Sequence, residues 1–133
     1  MMEGRRIVVV GGESDLGDTI RVLEQRGYLV LHAAGAVEAV TTVRTALPDL
    51  VVLAVMTPDS DSLTTLREIR AISAVPVIPL SVSGEEDDRV LALRLGADDF
   101  VTVPFSQREL LARTESMLRR VREAAFVPAV RLY

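Results

Sequence analysis

The 133-residue sequence contains no cysteine, no lysine and no asparagine. Without cysteine it can form neither a disulfide nor a thiolate metal site. All fifteen positive residues are arginine, and the net charge is −4, which does not favour a domain that binds nucleic acid through its own surface. No apolar run approaches the roughly 18 residues of a membrane span, and the run after Arg6 is too short for a signal peptide. We therefore expect a cytoplasmic protein without membrane association.

Short β-branched runs alternate with helical patterns along the chain. Continuous apolar character in the first and third runs favours strands buried on both faces of a parallel sheet. Such alternation predicts an α/β fold, a flavodoxin-like (βα)5 arrangement with strand order 2-1-3-4-5 and helices on both faces. We place one domain at residues 4–122 and a tail or linker at residues 123–133. The predicted strands are Ile7–Val10, Tyr28–His32, Leu50–Ala54, Val75–Leu80 and Phe100–Val103.

Helical spacing adds finer expectations. Ser14 or Asp15 is expected to cap the first helix. Leu91 and Leu95 fall on one side of the fourth helix and are expected to dock it on the sheet. The last helix is predicted from Ser106 to about Arg122, with a core stripe at Leu110, Leu111, Thr114, Met117, Leu118 and Val121.

Several motifs together resemble the CheY-like receiver domain of bacterial response regulators, and the resemblance covers nearly the whole chain. In that family two acids after strand one hold Mg²⁺, an aspartate ending strand three accepts a phosphoryl group, and a lysine after strand five neutralises its charge. The motifs lie at Pro48–Leu53, Met56–Asp59, Val75–Ile78, Gly84–Val90 and Leu95–Phe105.

The residues at the family's reactive positions have no such chemistry here. Gly11 and Gly12 replace the acid pair, Ala54 replaces the phospho-acceptor and Val103 replaces the lysine. The family's switch positions keep a hydroxyl, Ser81, and an aromatic ring, Phe100. The resemblance therefore implies an atypical, phosphorylation-deficient receiver that has no catalytic residues, metal or cofactor.

Two other chemistries at the same edge are weaker interpretations. Glu13, Asp15, Asp59 and Asp61 are acids on nearby segments, but capping and turn roles suit them better than substitute phosphorylation. The segment Gly11–Gly17 follows a strand as a dinucleotide loop does, yet it lacks the Gly-x-Gly-x-x-Gly spacing.

A dimer face is the second implication of the resemblance. Receivers of the OmpR/PhoB type dimerise through the fourth helix, fifth strand and fifth helix and precede winged-helix DNA-binding domains. At the matching positions of this sequence, the resemblance implies the cross-subunit ion pairs Arg89–Glu109, Asp99–Arg113 and Asp98–Arg120. It also implies an apolar patch at Val90, Leu93 and Ala112. We expect a homodimerising module of transcriptional control that reaches DNA only through a winged-helix domain. The alternative is a sensor that binds an apolar metabolite near the former phosphorylation site.

Overall fold

The computed structural model describes residues 5–55, 62–81, 86–102 and 104–126. Five strands alternate with five helices along this part of the chain. The strands are β1 (Arg6–Val10), β2 (Leu29–Ala33), β3 (Leu50–Val55), β4 (Val77–Ser81) and β5 (Val101–Thr102). The helices are α1 (Glu13–Gln25), α2 (Ala36–Ala46), α3 (Ser62–Ile72), α4 (Glu86–Arg94) and α5 (Gln107–Phe126).

The five strands form one parallel sheet in the order β2-β1-β3-β4-β5. The predicted flavodoxin-like topology is confirmed. In this order the carboxyl ends of β1 and β3 are neighbours, since Val10 pairs with Leu53. Segments that follow β1 and β3 therefore meet at one edge of the sheet, where ligands bind in folds of this class.

Alternating strand residues build a separate apolar layer on each face of the sheet. Ile7 and Val9 face the layer completed by α1 and α5, while Val8 and Val10 face the layer completed by α2, α3 and α4. Both layers are closed to solvent, and each fully buried leucine or isoleucine stabilises the fold by roughly 1.5–3 kcal/mol. This double burial is the reason why the inner strands β1 and β3 are continuously apolar.

Four helical details differ from the sequence prediction. Val121, predicted in the core stripe of the last helix, is 44% exposed. Gly12 is the N-cap of α1, so Ser14 and Asp15 lie inside the helix rather than before it. Ala92 is the buried residue of α4, and Leu91 is exposed, because the helix is rotated relative to the predicted stripe. The last helix continues to Phe126, beyond the predicted end at Arg122. Within the described residues, no helix is both long enough and apolar enough to span a bilayer.

Buried polar groups lie at the contact between α1 and α5. The Thr19 hydroxyl donates to Gln107 Oε1 at 3.2 Å. The hydroxyls of Tyr28 and Thr114 are equally buried, but neither has a hydrogen-bond partner among the described residues. Burial is also the main reason why the pKa of Tyr28 is raised from its ordinary value of 10.0, and the nearby Glu115 carboxylate raises it further.

We expect Thr114→Val to stabilise the protein by about 1 kcal/mol, because a buried hydroxyl without a partner is replaced by a methyl group of similar size. Thr19→Val is the matched control. It removes a hydroxyl that is hydrogen-bonded, so it should destabilise by about 1 kcal/mol. Urea unfolding measures the change in the free energy of unfolding for each variant. If both variants were stabilised, or both destabilised, the contrast between a bonded Thr19 hydroxyl and an unbonded Thr114 hydroxyl would be contradicted.

Candidate functional site

The edge formed by the carboxyl ends of β1, β3 and β4 brings together three of the predicted site positions. Gly11 follows β1 directly, Ala54 lies near the end of β3, and Ser81 ends β4. Val55 pairs with Ser81 in the sheet, so these backbone segments are adjacent. Val103 lies outside the described residues, as does the side chain of Ser81.

Gly11 packs so closely against β3 that the site has no room for a side chain at this position. A Cβ atom added to Gly11 would lie 2.7 Å from the Ala54 Cβ and 2.9 Å from the Leu16 Cδ1. The backbone of Gly11 also has a φ of 140°, which is strained for any residue with a side chain. The loop between β1 and α1 thus lies directly against the end of β3.

Two hydrogen bonds hold this loop in place. The Gly11 amide donates to the Ala33 carbonyl at 2.9 Å, which ties the loop to β2. His32 Nε2 lies 2.6 Å from the Gly11 carbonyl. Because a carbonyl only accepts, Nε2 carries the proton. His32 therefore has a structural contact at the edge of the site, and no sequence motif predicted it.

The side chains at this edge do not fit a divalent metal or a phosphoryl group. Mg²⁺ requires oxygen ligands, and Gly11, Gly12 and Ala54 have no side-chain oxygen. In the part of the chain that the structure describes, no three acidic or histidine side chains cluster as a metal site. Asp59 and Asp61 lie outside the described residues, and so do the side chains of Glu13 and Asp15.

A second surface is formed by α4, residues 98–102 and the exposed side of α5, and we call it the output face. Its apolar part includes Leu93 on α4, which is 46% exposed. Val90, three residues earlier on the same side of the helix, is half-buried, and Ala112 on α5 is exposed. Apolar side chains on one partly exposed side of a short helix are typical of a contact surface.

Two groups of side-chain contacts lie on the output face within one molecule. The Arg89 guanidinium lies 5.9 Å above the centre of the Phe100 ring, a cation–π distance. Arg113 Nη1 donates to both carboxylate oxygens of Asp99 at 3.1 Å, and its Nε donates to Glu109 at 3.2 Å. The hydrogen bond that Arg113 donates to Asp99 is the main cause of the raised pKa of Arg113. In the single chain, Asp99 and Glu109 are therefore both bound by Arg113.

Asp98 is bound differently from the other acids of the output face. Its Oδ2 accepts from Arg70 Nη2 at 2.7 Å and from the Val77 amide at 2.8 Å. Arg70 also donates to the carbonyls of Gly96, Ser73 and Val75. We call this group the Arg70 clamp. It joins α3 to the loop between α4 and β5, and no sequence motif predicted a role for Arg70.

Arg120 completes the set of predicted dimer residues. It is exposed on α5, and among the described residues no ion pair involves it. The predicted pairing of Arg120 with Asp98 of a second copy remains a prediction, as do the pairs Arg89–Glu109 and Asp99–Arg113 across subunits.

Comparison with known proteins agrees with this architecture. The family model described as "Response regulator receiver domain" matches residues 7–115. NtrX from Brucella abortus is 30% identical, with a TM-score of 0.83 over 95% of this chain and 29% of that chain. The BeF3-activated N-terminal receiver domain of Klebsiella pneumoniae RstA is 28% identical, with a TM-score of 0.77 over 86% of this chain and 99% of its own. A two-component response regulator from Clostridium difficile is 25% identical, with a TM-score of 0.80 over 88% and 98%. The five-stranded parallel fold, the match of the family model to residues 7–115 and the similarity to solved receiver structures agree. Together they show that the chain belongs to the response regulator receiver domain family.

Proposed function

We propose that this chain is a phosphorylation-independent receiver domain that dimerises through the output face and regulates transcription. The observation that carries the proposal is the β1–α1 loop, where Gly11 contacts Ala54 and Leu16 in place of an acidic pocket. Neither a nucleophile nor a metal ligand is present at these positions. The output face keeps both its apolar residues and its charged residues, so a binding role is retained without the chemistry.

The OmpR/PhoB type is part of the same proposal. It is supported by the residues at the predicted interface positions Arg89, Asp99, Glu109 and Arg113. The similar receiver domain of RstA is described as N-terminal, which fits a receiver that precedes another domain. A two-fold contact through this face would place two DNA-binding domains on paired half-sites. The DNA-binding activity would belong to a winged-helix domain and not to the acidic receiver itself.

The alternative of an apolar metabolite at the former phosphorylation site is less well supported. The space next to Gly11 is taken by the Ala54 and Leu16 side chains. A ligand there would have to displace Leu16, which is 2% exposed.

Phosphorylation is tested by incubating the protein with Mg²⁺ and acetyl phosphate and measuring its intact mass. We expect no phosphoryl adduct, because Gly11, Gly12 and Ala54 carry no side-chain group that can attack the donor or hold Mg²⁺. A stable adduct at any acidic residue would overturn phosphorylation independence. Ala54→Asp is a useful companion variant, since it restores the nucleophile alone and should remain unmodified without metal ligands.

Dimerisation is tested with Leu93→Glu, which places a charge in the apolar part of the output face. We expect sedimentation equilibrium to show at least a tenfold weaker dimer, about 1.4 kcal/mol of binding free energy. Val37→Glu is the matched control, because Val37 is 82% exposed on α2, which packs against β1 and β2, at the other end of the sheet from β5. A wild-type protein that stays monomeric at high concentration, or equal weakening by both variants, would reject the output face as the interface.

A further inference from the structure

The contacts of Asp98 lie inside its own chain. One carboxylate oxygen, Oδ2, accepts from both Arg70 and the Val77 amide, and the Asp98 amide donates to the Val77 carbonyl at 3.0 Å. Asp98 thus continues the pairing of the sheet just before β5 begins. The Asp98 side chain is 37% exposed, but a carboxylate held by both a charged donor and a backbone amide is more strongly fixed than one in a single surface ion pair.

Arg70 is fixed just as firmly. Its Nε donates to the Gly96 carbonyl at 2.9 Å, and its Nη1 donates to the carbonyls of Val75 at 2.7 Å and Ser73 at 3.2 Å. The Arg70 side chain is only 21% exposed. Its stem packs against Gly96, where an added Cβ would lie 2.8 Å from the Arg70 Cγ. Arginine suits this position because one planar group presents several donors in fixed directions.

The clamp therefore joins four segments: the end of α3, the α3–β4 loop, the start of β4 and the α4–β5 loop. Of these, the α4–β5 loop controls where α4 lies relative to β5. The fourth helix itself is attached to the core through a small buried residue, Ala92, and the half-buried Leu95 that follows it. A short helix with so little buried area depends on its loop for a fixed position.

We propose that the Arg70 clamp holds the output face in one constant arrangement, and that Asp98 is a positioning residue that supports partner binding through Arg70 rather than by touching the partner. This rests on the proposed function only in assuming that the output face binds a second copy. It assigns Asp98 a role different from the cross-subunit pair with Arg120 that the family resemblance implies, and it leaves Arg120 without that partner.

The test compares Arg70→Met, Asp98→Asn and the double variant in the full chain. Met keeps the stem of Arg70 but has no donor, and Asn keeps an oxygen for the Val77 amide but loses the charge. Arg67→Met, on an exposed position of the same helix, is the control. Backbone hydrogen exchange measures local opening, and sedimentation equilibrium measures the dimer.

We expect Arg70→Met and Asp98→Asn to lower protection at residues 92–102 by tenfold or more, with amides of α1 and α5 changed less than twofold. The double variant should lose no more protection than Arg70→Met alone, because both changes break one unit. Dimer affinity should fall by the same factor in the two single variants. Arg67→Met should match the wild type in both measurements.

Two results would overturn the proposal. One is a weaker dimer in Asp98→Asn with unchanged protection at residues 92–102, which would place Asp98 in direct contact with the partner. The other is an equal loss of protection in all helices and strands, which would mean that the clamp stabilises the whole domain and does not position α4 in particular. A chain that never dimerises would reject the proposed interface, yet the exchange pattern would still decide whether the clamp fixes α4.

Discussion

Gly11→Asp is expected to destabilise the domain by about 3 kcal/mol rather than to rebuild an acidic site. The new Cβ would lie 2.7 Å from the Ala54 Cβ, and Ala54 belongs to a buried strand that cannot move aside. Gly11 also has a φ of 140°, and an aspartate at this backbone conformation would be strained. Overpacking and backbone strain each cost roughly 1–3 kcal/mol. The midpoint of thermal unfolding should fall by roughly 10–15 °C for a domain of this size.

Gly12→Asp provides the control at the adjacent position. Gly12 is exposed, with φ −67° and ψ 135°, a conformation open to any residue. It is also the N-cap of α1 and has no side-chain cap, so aspartate there should stabilise by a few tenths of a kcal/mol. The same residue introduced one position apart should therefore have opposite effects. Equal losses at both positions would show that added charge, and not the packing of Gly11, limits the site.

Gly96→Ala should cost about 2–3 kcal/mol in the free energy of unfolding, because backbone strain and a steric clash act together. At a φ of 107° an alanine is strained, and its Cβ would lie 2.8 to 3.0 Å from three atoms of the Arg70 side chain. That side chain cannot swing away without breaking its hydrogen bonds to four groups. Denaturant unfolding of Gly96→Ala, Arg70→Ala and the double variant separates strain from clash. The double variant should lose clearly less than the sum, since removing Arg70 makes room for the methyl group.

Gly17→Ala tests the same substitution where nothing opposes it. Gly17 lies inside α1, and among the described side chains a Cβ there would meet the Arg21 guanidinium alone, at 4.0 Å. Alanine in a helix interior is more favourable than glycine by roughly 0.5–1 kcal/mol, largely because the unfolded chain loses freedom. A loss of stability in Gly17→Ala would contradict the helical packing described for α1.

The sheet could be predicted from the sequence because its three central strands, β1, β3 and β4, are buried on both faces. Continuous apolar runs such as Ile7–Val10 are typical of strands covered by helices on both sides, and helices between such strands favour a parallel sheet. Pro79 is the exception inside a strand, since proline cannot donate to a ladder. The short β5 makes this acceptable, because its pairing with β4 begins only at Leu80. Helix orientation was harder to predict: α4 is apolar on several sides, so Ala92 could not be distinguished from Leu91 as the docking residue.

The chemistry missing from Gly11, Gly12 and Ala54 is visible in the sequence, but the packing that replaces it is not. Contact between Gly11, Ala54 and Leu16 depends on strand register. Whether a side chain fits at Gly11 is decided by differences of a few tenths of an ångström in the distances to Ala54 and Leu16. Arg70 and Asp98 are 28 residues apart and share no motif. Their pairing follows from the neighbouring positions of α3, β4 and the α4–β5 loop. Long-range ion pairs of this kind become visible only when the elements are placed in space.

The buried Tyr28 also has a spectroscopic consequence. The chain has two tyrosines and no tryptophan, and the second tyrosine, Tyr133, lies outside the described residues. Tyrosine emission, normally hidden by energy transfer to tryptophan, is therefore directly readable in this protein. A Tyr133→Phe variant would keep Tyr28 as its single tyrosine fluorophore. Tyr28 lies next to the Arg26–Glu115 ion pair that links α1 to α5. Its signal would follow the α1–α5 contact, on the face of the sheet opposite to α4, without any attached label.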